Sequence, residues 1–306
     1  MRKFLLIICL FVVSLTGCSK DNKSDKLTII STNFVGYDFA RAIVGDNDAD
    51  ISMLLKPGSE IHDYEPTPKD IINIKNSDIF IYVGGESDEW IDDIIDSIDL
   101  NKTKVIKMMD FVDLVYEEDV EGMEVEDEEE EEYDEHIWTS PINAIKIVEA
   151  LSSKIIDSDN DNKSSYEENT NKYVDELKNI DSKFQDVVEN SKRHELIFGD
   201  RFPLRYFVDE YDLSYYAAFP GCSSATEASA KTISFLVNKV KSDSIPVVLK
   251  IELSSGKIAK AISDETGAKV LEFNAAHNIS KSDFDAGITY VDIMNKNIEV
   301  LKEALN

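Results

Sequence analysis

Borderline-soft divalent cations are held by imidazole nitrogen, with carboxylates filling the remaining positions, and this chain offers both donor types in suggestive places. Its four histidines are His62, His136, His194 and His277. His62 lies in Pro57-Gly-Ser-Glu-Ile-His-Asp-Tyr-Glu-Pro-Thr-Pro68, a loop between a strand-like and a helical segment. His136 ends a run, Glu117 to Glu135, in which 14 of 19 residues are Asp or Glu, and it precedes a helix start. His277 follows the last strand-like segment, in Glu272-Phe-Asn-Ala-Ala-His-Asn-Ile-Ser280. These three share a placement on loops at strand ends or helix starts, where functional side chains concentrate. They are read together as metal ligands. His194 stands beside Lys192 and Arg193, cations that disfavour a metal, and reads as structural or surface. Glu252 reads as a structural carboxylate and Glu227 as a helix-start residue.

The acidic run has a different role. Desolvating many unpaired carboxylates costs more than folding returns, so the whole run is expected to be a mobile, hydrated loop. Its centre, Glu128, Glu129, Glu130, Glu131 and Glu132, would hold ions weakly and under salt screening. It would therefore gather cations beside His136 rather than bind one tightly. The formal charge of −29 repels phosphates and excludes nucleic acid as a partner.

The N-terminus indicates a compartment. Met1-Arg-Lys is basic, Phe4 to Leu15 is almost wholly apolar yet too short to span a bilayer, and Leu15-Thr16-Gly17-Cys18 follows at once. This reads as a lipoprotein signal peptide (1–17), with lipid on Cys18 and a polar tether over 18–26. Cys9 would leave with the signal, so only Cys222 remains. An intramolecular disulfide and a thiolate-built zinc site are thereby excluded from the mature chain. Cys222 reads as a small packing residue.

Strand-like runs at Leu27–Thr32, Ala49–Leu55, Ile79–Val83 and Lys104–Met108 alternate with helical spacing at Gly36–Val44, Pro68–Ile74 and Trp90–Ile98. Ser140-Pro141 can open a helix. Apolar residues from Tyr166 to Val187 recur at a period near 3.6. The rhythm returns with strands at Glu195–Phe198, Ser214–Phe219, Pro246–Ile251 and Val270–Phe273. Helices are expected at Pro203–Tyr211, Thr226–Ser242, Ser255–Thr266 and Tyr290–Leu305. The expectation is an α/β fold of two β/α lobes with mostly parallel sheets. The first lobe spans 27–164 including the acidic loop 117–135, a connector helix 165–191, and the second lobe 192–306. Ligands of such lobes bind outside the strands' carboxyl ends.

The segments Gly58-Ser-Glu-Ile-His-Asp-Tyr-Glu-Pro-Thr-Pro68, Ser77-Asp-Ile-Phe-Ile-Tyr-Val-Gly-Gly85 leading to Trp90, and Asp134-Glu-His-Ile-Trp-Thr-Ser-Pro141 resemble those of the metal-binding lipoproteins of ABC importers for zinc and manganese. The resemblance runs from Leu27 to the C-terminus. It implies two lobes joined by one rigid long helix, an ion buried between them, and His62 and His136 as ligands from the first lobe. It also implies an ABC permease as partner and a non-enzymatic role; a monomer is expected. The family's third ligand, His or Glu, opens a helix after a strand; here that stretch reads Phe198-Gly-Asp-Arg-Phe-Pro-Leu-Arg-Tyr-Phe207. Asp200 is the nearest candidate, while Arg201 is suited to pairing with a carboxylate. His277 fits the fourth place in type and position. Three imidazoles with one carboxylate suit Zn²⁺, whereas two histidines with two carboxylates would suit Mn²⁺. The alternatives are a manganese receptor of the same family, a lipid-anchored zinc hydrolase using Glu60 or Glu65 as general base, and a surface adhesin with a structural metal. No His-Glu-x-x-His motif supports the hydrolase.

Overall fold

The inner strand segments are short and apolar because they are buried on both faces. In a computed structural model describing residues 26–47, 49–60, 64–123, 132–221 and 227–306, the strands form two four-stranded sheets. The first contains β1 (Leu27–Ser31), β2 (Ala49–Met53), β3 (Ile79–Tyr82) and β4 (Lys104–Lys107), ordered β2-β1-β3-β4. Its helices are α1 (Phe34–Val44), α2 (Pro68–Asn76) and the short α3 (Asp92–Ile95). All pairings are parallel, and every residue of β3 is buried, as a sheet covered on both faces requires. Trp90–Ile98 is not one helix: a 3-10 segment, Glu86–Ile91, leads into α3. There the Asp88 carboxylate accepts Val83 N at 2.8 Å and Gly84 N at 3.1 Å, tying the turn back to β3.

Next come α4 (Pro141–Ile156) and α5 (Lys163–Glu189), separated by a 3-10 turn over Asn160–Asn162. Ser140 caps α4 by accepting Asn143 N, and Pro141 occupies the first turn. Helix α5 has 27 residues, so it is about 40 Å long at about 1.5 Å per residue. Tyr166, Thr170, Tyr173, Leu177, Ile180, Phe184 and Val188 form its buried stripe.

Beyond α5 the same topology is repeated. Strands β5 (Glu195–Phe202), β6 (Ser214–Pro220), β7 (Val247–Lys250) and β8 (Lys269–Glu272) are parallel and ordered β6-β5-β7-β8. They alternate with α6 (Arg205–Glu210), α7 (Ala230–Ser242) and α8 (Lys257–Thr266), followed by α9 (Lys281–Asp285) and α10 (Tyr290–Ala304). The α9 turn, capped by Ser280, has too few apolar positions to announce itself by periodicity. At Gly199 a Cβ would lie 2.4 Å from Ala259 Cα; the missing side chain lets α8 lie directly on β5.

In both sheets the first strand lies between the second and third, so a switch point falls at β1/β3 and at β5/β7. One apolar core is continuous across both halves and includes Trp138, Phe184, Phe207 and Phe273. Helix α10 packs on α5, and its Tyr290 ring meets Phe39 of α1 at 5.2 Å. Among the described residues no helix is long and apolar enough to cross a membrane. The expectations for 1–25, including the signal peptide and Cys18, and those for Cys222 lie outside the described residues.

Candidate metal centre

Two elements bring His136 to the interior. Residues Ile137–Thr139 form a 3-10 turn that leads into the capped start of α4. The Thr139 N–H and hydroxyl both donate to His136 O, at 3.0 and 2.8 Å. His136 is fully buried. His277 reaches the same place from the loop after β8, where Ala276 takes a positive φ of 59°. The two imidazole rings lie 4.4 Å apart, edge to face at 77°. Trp138 packs against both, at 5.7 and 5.8 Å, and donates its indole N–H to Ala275 O at 2.7 Å.

Each histidine is backed by a buried carboxylate in the same pattern. Asp134 Oδ1 faces His136 Nδ1 at 3.0 Å and also accepts His136 N at 2.7 Å. Glu252 Oε1 faces His277 Nδ1 at 3.3 Å and accepts His277 N at 2.9 Å, while Oε2 accepts Ala275 N at 2.7 Å. A carboxylate at Nδ1 holds the tautomer with the proton there. Nε2 is left as a lone-pair donor, the arrangement that supports metal-ligating histidines.

The neutral His136 ring and the ionised Glu252 agree with that role. Burial, reinforced by the nearby positive charge of Arg201, pushes His136 well below the usual imidazole value, so its ring is neutral. Burial pushes Asp134 up to about 7, against donation from His136 N and the nearby charge of Arg205. Burial also acts on Glu252, but hydrogen bonds from His277 and Ala275 outweigh it and hold that carboxyl below its ordinary value.

Arg201 and Asp200 occupy the end of β5, which continues past Phe198 through an irregularity in its pairing with β6. The sequence rhythm ended this strand at Phe198. Asp200 is buried, and its Oδ1 accepts Arg201 N at 3.0 Å; burial pushes its carboxyl up, opposed by Ser254 and Arg201. Arg201 Nη2 meets Glu60 Oε2 at 2.7 Å, the carboxylate pairing its type suggested. His62 lies outside the described residues. His194 is exposed at the start of β5.

The acidic run differs from the expectation at its ends. Tyr116 and Tyr133 form an antiparallel bridge, and Glu117 N donates to Glu132 O at 2.9 Å. Asp134 and Glu135, expected to be solvated, are 2% and 1% exposed. Their burial is possible because they have donors: His136 for Asp134, and the Ser87 hydroxyl and N–H, at 2.5 and 3.0 Å, for Glu135. Burial pushes Glu135 up to about 8, against those Ser87 hydrogen bonds. Glu132 is exposed, while Glu128 to Glu131 lie outside the described residues. Glu117, Asp134 and His136 offer donor atoms all within 4.8 Å of one another, a set that includes neither His277 nor Asp200. Sequence reading missed Asp134 as the partner of His136, although the Asp-x-His spacing was visible.

Two parallel-sheet lobes meeting over buried, carboxylate-backed histidines are the framework of a solute-binding protein. The chain belongs to the ZnuA family, described as the periplasmic component A of a zinc-uptake complex, whose model matches residues 29–304. Members are binding components of a transport system and not enzymes. The high-affinity zinc uptake system protein ZnuA of Bacillus subtilis (strain 168) is 31% identical over 99% of this chain and 96% of its own length. The zinc-binding lipoprotein AdcA of Streptococcus pneumoniae is 30% identical over 98% of this chain, which spans 60% of AdcA. The crystal structure of the Zn(II)-bound ZnuA-like domain of Streptococcus pneumoniae AdcA superposes with a TM-score of 0.77 at 28% identity, covering 92% of this chain and 99% of that one.

Proposed function

We propose that this protein captures Zn²⁺ outside the cytoplasmic membrane and delivers it to the permease of a zinc-uptake ABC system, held at the membrane surface by lipid on Cys18. The observation that carries this reading is the facing pair His136 and His277, 4.4 Å apart, each with Nδ1 held by a buried carboxylate. His62 completes a three-imidazole set, and Asp200 is the fourth donor. Family membership supports zinc as cargo, and a shell dominated by imidazole favours Zn²⁺ over Mn²⁺. Elemental analysis of the purified protein should find about one zinc per chain at the tight site. His136→Ala or His277→Ala should weaken Zn²⁺ binding at least about 100-fold in competition with a chelator. Unchanged titration of either folded variant would remove that residue from the ligand set.

A second arrangement is favoured by one observation, the proximity of Glu117, Asp134 and His136. An ion held there would use carboxylate oxygens at the base of the acidic run. Glu117→Gln separates the two. It leaves tight binding unchanged if His136 and His277 share the ion, and abolishes it if Glu117 is a ligand.

A further inference from the structure

The loop that precedes His62 is stitched to the loop that carries His277. Asn278 donates its side-chain amide to Lys56 O at 2.8 Å and to Ser59 O at 2.7 Å, and Gly58 N donates to Ile279 O at 2.8 Å. Glu60 is thereby delivered to the boundary between the lobes, two residues from His62. Opposite it, at the end of β5, the irregular pairing between Phe198 and Arg201 re-aims the strand's side chains, as bulges do. There Arg201 Nη2 contacts Glu60 Oε2 at 2.7 Å, with side-chain exposures of 14% and 37%. Both residues lie within electrostatic reach of His136. The site thus includes a guanidinium in the stretch where a donor was expected, and a carboxylate that this guanidinium holds.

We propose that Arg201 is a specificity-determining residue: by holding the Glu60 carboxylate in a cross-lobe ion pair, it withholds an oxygen donor from the ion and leaves a shell dominated by imidazole. The inference rests on the proposed site at His62, His136 and His277. Its chemistry is that of ligand type. An added carboxylate favours Mn²⁺ relative to Zn²⁺, because Mn²⁺ prefers oxygen donors while Zn²⁺ is well served by nitrogen. A charge that acts only through space treats two dications alike, so it moves both affinities together and leaves their ratio unchanged. The Zn²⁺/Mn²⁺ affinity ratio therefore separates ligation from field effects.

The test measures both affinities by chelator competition for the purified wild-type protein, Arg201→Lys, Arg201→Gln, Glu60→Gln and the double variant Arg201→Gln/Glu60→Gln. Arg201→Gln releases Glu60, and the ratio should fall at least about tenfold, a change of about 1.4 kcal/mol in relative binding. Arg201→Lys keeps a cation for Glu60 and should hold the ratio within about threefold of wild type, or about 0.65 kcal/mol. Glu60→Gln removes a carboxylate that does not ligate, so both affinities shift together and the ratio stays. The double variant should return to the wild-type ratio. The inference is overturned if Arg201→Gln leaves the ratio unchanged, if the double variant keeps the altered ratio, or if Glu60→Gln alone changes it. Glu60→Gln leaves Arg201 in place, so a changed ratio there would still overturn the inference even if Arg201→Gln fails to fold. Failure of the underlying site would be distinguishable, because His277→Ala would then bind Zn²⁺ like the wild type whatever the Arg201 series showed.

Discussion

Glu252→Gln tests whether the carboxylate behind His277 serves the metal or only the fold. Glu252 is buried and accepts on both oxygens: Ala275 N at 2.7 Å on one, and His277 N and Nδ1 at 2.9 and 3.3 Å on the other. Glutamine has one oxygen and one NH₂. In either orientation an N–H donor faces another N–H, and one side of the network is lost. An unsatisfied buried donor costs about 1–3 kcal/mol, which should appear as a lower melting temperature of the metal-free protein. Loss of the carboxylate from Nδ1 also frees the tautomer and lowers the ring's basicity. Such partners are typically worth about 10- to 100-fold in metal affinity, or about 1.4–2.7 kcal/mol. Zn²⁺ affinity should fall by that factor in chelator competition. In a His277→Ala background the same substitution should cost no further affinity, since the ring it supports is gone. A folded Glu252→Gln protein that binds Zn²⁺ as tightly as wild type would refute the assignment of Glu252 and His277 as a unit.

Other outcomes follow from single contacts. Asp134→Asn should weaken Zn²⁺ binding by about 10- to 100-fold through His136, measured in the same competition. Burial pushes Asp88 up to about 6, so the folded state binds more protons than the unfolded state between the ordinary carboxylate value and that pH. Stability should therefore fall as pH rises through this window, by at most about 3 kcal/mol. Asp88→Asn should flatten the dependence of melting temperature on pH, and an unaltered slope would contradict it. Gly199→Ala should destabilise by about 1–3 kcal/mol or more in urea unfolding, because its Cβ meets the α8 backbone. Replacing 124–131 by a short Gly-Ser linker should slow Zn²⁺ capture or remove extra weak sites while leaving one tight site, as stopped-flow and equilibrium titration can separate. Loss of the tight site would assign the run a direct ligand.

Much of the fold was legible because parallel strands buried on both faces are short apolar runs, and Ile79–Tyr82 or Val247–Lys250 can hardly be read otherwise. The long helix was visible in the spacing from Tyr166 to Val187, although the buried residue at its end is Val188. The continuation of β5 to Phe202 was hidden because Gly199, Asp200 and Arg201 are poor strand formers, held there by pairing with β6 and by contact with Ala259. At the site, the type and loop position of His136 and His277 were legible. Their partners were not equally so. Asp134 merged with the charges around it, and Glu252 stands 25 residues from His277, a distance closed only by the β7 and β8 topology. Burial is also invisible in a sequence. An ordinary histidine would lose its ligand form as pH falls through its usual range, but a fully buried His136 holds the neutral form to lower pH.

The chain has two tryptophans, Trp90 and Trp138; among the described residues Trp138 is the one whose ring meets the paired histidines, at 5.7 and 5.8 Å. Trp90 instead stacks edge-on with Tyr64 and packs near Phe80. The geometry makes Trp138 a built-in optical probe: an indole fixed against both rings, with its N–H committed to Ala275, whose emission is expected to respond to charge arriving beside it. Trp90→Phe would leave Trp138 as the single tryptophan, which can be excited selectively over the tyrosines. Loading and release of the ion could then be followed in real time without a label, a competing dye or a chemical modification of the site.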